Sequence, residues 1–193
     1  MKNSRSETSI RSVRADAKKN NEIILKAALE IFQSNGIDVP IREIAKHAGV
    51  GIGTIYRHFP QRSDLIYATL INEIDACVYM GEELISEKQP EEALINWVKF
   101  YIEFIIKTQG LATALNSGDQ TLAGLSNYFH EQLCPIVEIL LHNAIKSKII
   151  QKKISADELL CAISALCAPH QHQESSNEYK LVFIFIDGLR IKS

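Results

Sequence analysis

Several protein classes are set aside by what this sequence lacks. No apolar run approaches the roughly 20 residues that a membrane-spanning helix needs, so no membrane partner is expected. The polar opening stretch MKNSRSETSIRSVRADAKKN has no apolar core of the kind a signal peptide carries, which makes a cytoplasmic protein the expectation. Cysteines are few and widely spaced, at Cys77, Cys134, Cys161 and Cys167, with no C-x-x-C pair, and reduced, buried thiols are the plain reading. The phosphate-binding loop, the G-x-S-x-G elbow and the H-E-x-x-H metal motif are all missing. The carboxylates are scattered, as solvated charges are. Neither an enzyme nor a bound cofactor is therefore expected. Cys167, His170 and His172 give C-x-x-H-x-H, a weak zinc pattern without a fourth ligand, so no metal is expected. No internal repeat is evident.

What is present is an ordinary soluble composition with an uneven charge. The chain has 193 residues, 46% of them hydrophobic, and a net charge of −2. Residues 1–62 hold 11 Lys/Arg against 6 Asp/Glu, a net +5, while residues 63–193 hold 10 against 17, a net −7. A basic head on an acidic body suits a protein whose head meets a polyanion.

The chain is organised around residues 40–62, PIREIAKHAGVGIGTIYRHFPQR. Ile41, Ile44, Ala45 and Ala48 recur at i, i+3, i+4, i+7, one face of a helix. Gly49 and Gly51 bracket Val50 and break it. Ile52, Ile55 and Phe59 then make a second apolar stripe. Two short helices joined by so tight a turn form a helix-turn-helix. The second helix turns Gly53, Thr54, Tyr56 and Arg57 away from its apolar side. A close-approach point, two hydroxyls and a guanidinium suit a helix lying in a DNA groove.

Before this motif, residues 1–19 read as a disordered basic arm, which either serves as a solubilising tail or touches phosphate or enters a minor groove. A first helix is expected over about 20–35, with Gly36 as a left-handed cap. The helix-turn-helix domain spans 20–62. After Pro60 a longer helix over about 62–86 joins head to body without a flexible linker, so a shift of one should tilt the other. The body, 63–193, reads as further helices near 90–108, 119–133, 135–149, 155–168 and 176–190. Gly110 ends the first of these, and a short segment, Leu111–Asn116, follows. Pro135 separates the second from the third. Ser155 to Glu158 and Ser175 to Glu178 fit the capping box. The unbroken apolar run Leu181–Ile186 fits a strand or a helix, and its cap favours helix. The fold class is all-α, with about nine helices.

Trp97, Phe100, Tyr101 and Phe104 form an aromatic group in the body. Aromatics at helical spacing are usually core, yet their density near Ser117, Tyr128, Phe129 and His130 also suits a pocket with a polar end. The candidate ligand-binding residues are Trp97, Tyr101, Phe104, Asn116, Phe129 and His130.

Residues 21–66 resemble the DNA-binding head of the TetR family of bacterial regulators. The resemblance is carried by ILKAALEIFQSNG, IREIAKHAGVGIGTIYRHF and the basic Arg62. The body is similar to the SbtR-like branch through the LNSGD turn, the Pro135 helix and the closing IDGLR. The resemblance implies a homodimer that binds a near-palindromic double-stranded DNA operator, usually as a repressor, and a body cavity for a small-molecule effector. It puts Arg42, Thr54, Tyr56, Arg57, His58 and Arg62 where relatives contact DNA, with Gly51 and Gly53 at the helix start. Tyr56 and His58 would hold phosphates, and Arg57 and Arg42 would read guanine edges. Two departures stand out. Val39-Pro40 replaces a frequent Thr at the start of the second helix, and Gly51 replaces a frequent Ser at the cap of the third. Direct readout is thus expected to rest on one or two arginines, aided by the arm or by DNA shape. The rival reading is a dimeric helical sensor or protein-interaction module without specific DNA binding.

Overall fold

Among the described residues, Gly36 and Gly49 are the two glycines with a left-handed backbone, at φ 77° and 66°, and each stops a helix of the head. The computed structural model describes residues 4–115, 122, 124–150, 154–167 and 178–190. Eight helices are present among the described residues: α1 (Ser4–Asn35), α2 (Ile41–Ala48), α3 (Ile52–His58), α4 (Arg62–Glu87), α5 (Pro90–Leu115), α6 (Leu125–Lys146), α7 (Ala156–Leu166) and α8 (Glu178–Leu189). The chain is all-α, and the described residues pair as β-structure only at an isolated bridge between Ile150 and Arg190. No described helix is long and apolar enough to cross a membrane.

Two compact units emerge. One comprises Met1–Asn72 with Gly110–Ala123, the other Glu73–Gln109 with Gly124–Ser193. In the first, Ile24, Ala28 and Phe32 of α1 are buried together with Ile41, Ile44 and Ala45 of α2, Ile55 of α3 and Leu65 of α4. In the second, Trp97, Val98 and Tyr101 of α5, Leu133, Val137 and Leu140 of α6, Leu159 and Ile163 of α7 and Val182 of α8 form the core. Arg190 pairs with Glu91 at 2.7 Å, which ties the end of α8 to the start of α5.

Three helix assignments differ from expectation, each for a physical reason. α1 begins at Ser4 rather than near 20, since neither Gly nor Pro interrupts the first 35 residues. α5 continues through Gly110 to Leu115. That glycine marks a close approach instead of a stop: a Cβ there would lie 2.4 Å from the carbonyl oxygen of Phe32. Pro135 sits inside α6, so the two helices expected around it are one. An interior proline forfeits one hydrogen bond and crowds the preceding turn. Burial of Leu133, Ile136 and Val137 on both sides of it offsets that cost. The expected count of about nine thus becomes eight. By contrast, the box at Ser155 forms in full, with Ser155 accepting from the Glu158 backbone and Glu158 reaching back. Residues 181–186 are helical. The second capping box, Asn116 and the loop with His170 and His172 lie outside the described residues.

Candidate nucleic-acid interface

The turn between α2 and α3 is built by backbone alone. With Gly49 left-handed, its N–H donates to Lys46 and the N–H of Val50 donates back to Ala45, a Schellman closure. Gly51 is the N-cap of α3 in extended conformation, and its carbonyl accepts from the Thr54 N–H at 2.8 Å. Neither Pro40 before α2 nor Gly51 before α3 offers a side-chain cap. The free N–H groups of both helix starts are therefore open to an external acceptor.

α3 is held by Ile55, 1% exposed, and by Phe59 just past its end. The opposite face carries Ile52 at 47% and Tyr56 at 49% exposure, with Gly53 and Arg57 also exposed and Thr54 half-buried. This corrects the reading of Ile52 as part of the buried stripe. A seven-residue helix pinned through one central residue and its C-terminal neighbour leaves its first turn outside the core.

The polar groups on this face are lightly engaged. Arg57 donates from Nε to the Gly53 carbonyl at 3.1 Å and from a terminal nitrogen to the Thr54 hydroxyl at 3.3 Å. Arg42 is open to solvent, with a 3.6 Å ion pair to Glu43 next to it. An exposed pair of this kind is worth about 0–1 kcal/mol, so a phosphate or a guanine edge can replace it. His58 is half-exposed, its ring tilted against Phe59. A Cβ added at Gly53 would meet nothing within 4 Å, so the folded chain itself does not require glycine there.

Arg62 differs from the other candidates. It is half-buried and its guanidinium donates to the carbonyls of Ile37 and Val39, the latter at 2.6 Å. It clamps the loop leading into α2 instead of standing open. Across the first unit His47 and Glu30 lie 2.6 Å apart, tying α2 to α1.

Of the candidate effector residues, the four aromatics are brought together in a packed state, with the exposed His130 edge-on to Phe129 at 5.5 Å. Trp97 stacks on Tyr101 at 5.2 Å, Tyr101 on Phe104 at 5.8 Å, and Phe129 lies 6.2 Å from Phe104. Trp97 donates to the Cys77 carbonyl at 3.1 Å, and the Tyr101 hydroxyl is bonded to Ser164 at 2.9 Å. Burial pushes the Tyr101 phenol upward. Burial also pushes the Cys77 thiol up to about 12. Both groups are thus neutral, as an apolar core demands.

Two sequence families meet on this chain. Residues 24–69 match the bacterial regulatory proteins of the tetR family, and residues 89–191 match the C-terminal domain of SbtR-like transcriptional regulators. The chain belongs to the TetR family. An HTH-type transcriptional regulator of Staphylococcus aureus (strain USA300) is 27% identical over 123 residues, 63% of this chain. The chain spans 66% of the length of that curated relative. A second regulator of this type, from strain MRSA252, is 27% identical over 155 residues, covering 79% of this chain and 82% of its own length. A TetR transcriptional regulator from Streptomyces coelicolor superposes with a TM-score of 0.76 at 28% identity, covering 90% of this chain and 99% of its own. One from Mycobacterium vanbaalenii gives 0.74 at 27% identity, with 93% and 99% covered.

Within this TetR chain, Ile52 is the surface residue that sequence reasoning missed. Periodicity alone could not find it, since Ile52 lies three and seven residues before Ile55 and Phe59 on the same side of the helix; its place as the first residue of α3 leaves it outside the core.

Proposed function

We propose that this TetR-family chain is a DNA-binding transcriptional regulator, a homodimeric repressor released from a palindromic operator by a small-molecule effector. The observation that carries the reading is the two-faced α3: Ile55 is sealed into the head while Ile52, Gly53, Tyr56 and Arg57 face outward. Arg57 and Arg42 then supply guanine contacts, Tyr56, His58 and Thr54 hold phosphates, and Ile52 offers an apolar contact for a thymine methyl. Gly51 and Gly53 let the helix start approach the DNA backbone. Arg62 acts through the loop it clamps, setting the position of α2.

Dimer formation is supported by the apolar groups that α8 leaves outside, Leu181 at 42% and Ile184 at 56% exposure. Paired with their symmetry copies, α7 and α8 would make a four-helix interface, and the two heads would enter major grooves about 34–36 Å apart. Trp97, Tyr101, Phe104, Phe129 and His130, with Asn116, would line the effector site. An effector there must part the aromatic stack. It therefore favours a second state of the chain and lowers DNA affinity through that difference. α4 is one uninterrupted helix whose first residues belong to the first unit and the remainder to the second.

The test is duplex-DNA binding by the full chain across a salt series. A regulator of this kind loses affinity steeply, with a logarithmic slope of about −0.9 per phosphate neutralised. A flat response, or binding unchanged in both Arg57→Ala and Tyr56→Ala, overturns the reading in favour of a sensor that does not use DNA.

A further inference from the structure

A cluster of chemistry-bearing side chains stands where α6 meets α7, and it shares His130 with the candidate effector residues. His130 and Cys134 are one turn apart on α6 and so share a face. Asp157 lies in the first turn of α7 and brings a carboxylate to that face. The His130 Nδ1 and an Asp157 oxygen are 3.0 Å apart, and the Cys134 Sγ is 3.9 Å from the same nitrogen. The three donor atoms all fall within 4.8 Å of one another.

We propose that His130, Cys134 and Asp157 form a binding site for a divalent transition metal ion of the zinc class. The spacing suits it. Bond lengths of about 2.3 Å to sulfur and about 2.0–2.1 Å to nitrogen and oxygen make the edges of a coordination tetrahedron about 3.3–3.6 Å. The two separations given above straddle that range and the third stays within 4.8 Å, so side-chain rotations complete the set. The donor chemistry narrows the ion. A thiolate and an imidazole select zinc, cobalt or copper over magnesium and calcium, which take oxygen ligands. The backbone is prepared as well: the Ser155–Glu158 capping box fixes the first turn of α7, from which Asp157 projects. His130 and Asp157 are exposed and Cys134 half-exposed, so an ion can enter from solvent, and a fourth position stays open to water. Binding converts the Cys134 thiol to thiolate, its proton passing to solvent, and replaces the His130–Asp157 bond by two bonds to the ion. The site differs from the Cys167–His170–His172 spacing considered on sequence alone. It does not depend on the DNA-binding reading, and its failure would leave that reading intact.

The experiment is a Co2+ titration of the full, reduced chain without a histidine tag. One ion per chain is expected, with the intense visible bands of four-coordinate cobalt, a thiolate-to-cobalt charge-transfer band, and displacement by Zn2+. Cys134→Ser should abolish the charge-transfer band while Cys161→Ser keeps it. His130→Ala and Asp157→Asn should each weaken binding by at least about tenfold, the loss that even outer-shell changes produce. Helix content by circular dichroism confirms that each variant is folded. Absence of stoichiometric cobalt binding in the parent, a charge-transfer band that survives Cys134→Ser, or a triple variant that binds as tightly as the parent would each overturn the site.

Discussion

α3 and the aromatic stretch of α5 carry similar residues in opposite circumstances. Both present aromatic rings and hydrogen-bonding groups. On α5, Trp97 and Tyr101 are buried and stacked, and each polar end has a protein partner. On α3, Tyr56 is half open and Arg57 is folded along its own helix through bonds of 3.1 and 3.3 Å. Buried polar groups must be satisfied within the fold, so the α5 groups serve stability first. The α3 groups are held weakly and outward, ready to exchange internal bonds for external ones. The difference predicts that damage at the two places separates stability from binding.

The strongest break should come at Trp97. Trp97→Ala empties the centre of the second unit and removes the indole bond to the Cys77 carbonyl, for a loss of about 3–5 kcal/mol in urea unfolding. Arg57→Ala should do the converse. DNA affinity falls by about 1–3 kcal/mol at the sequence it reads, while the unfolding midpoint stays within about 0.5 kcal/mol of the parent, as for a surface change. Equal effects of the two variants on both measurements would erase the distinction.

Burial in the second unit has a pH signature too. The Cys77 thiol, pushed from 9.0 to about 12 by burial and then by Glu73, keeps its proton in the folded chain over a range where the unfolded chain loses it. The folded state binds more protons there, so stability must fall as pH rises from about 9 to about 12, at about 1.4 kcal/mol per pH unit. Urea midpoints measured between these limits should decline in the parent, and Cys77→Ala should remove that share of the slope.

The sequence discloses local decisions better than distant ones. The stripes of α2, the Gly36 and Gly49 stops and the Ser155 capping box follow from residues within one or two turns, and all are present. The misread positions were set by remote neighbours. Gly110 looks like a terminator until Phe32 is seen against it. Pro135 looks like a break until its flanks prove to be core. A further long-range contact, likewise invisible in the sequence, is made by Arg62, whose guanidinium reaches carbonyls more than twenty positions earlier. On α3 the outward facing of Gly53, Tyr56 and Arg57 was legible because a turn rigidly defined by glycines dictates which way the helix faces. Cys134 and Asp157 were not, since nothing in their separation along the chain brings α6 and α7 together.

The same substitution made at two glycines sharpens the contrast furthest, because it should act with opposite signs. At Gly81 a new Cβ would lie 2.3 Å from the Ile136 side chain and 3.0 Å from the Trp97 indole nitrogen. Gly81→Ala therefore overpacks the second unit and should cost about 1–3 kcal/mol. At Gly53 the added methyl meets open space. There alanine restricts the unfolded chain and favours helix, a gain of up to about 1 kcal/mol. If Gly53 is kept for the approach of a DNA backbone, Gly53→Ala should be more stable than the parent and bind duplex DNA more weakly. Undiminished binding by that stabilised variant would mean that the start of α3 does not come close to DNA, and the docking of the head would have to be redrawn around Arg42 and Arg57.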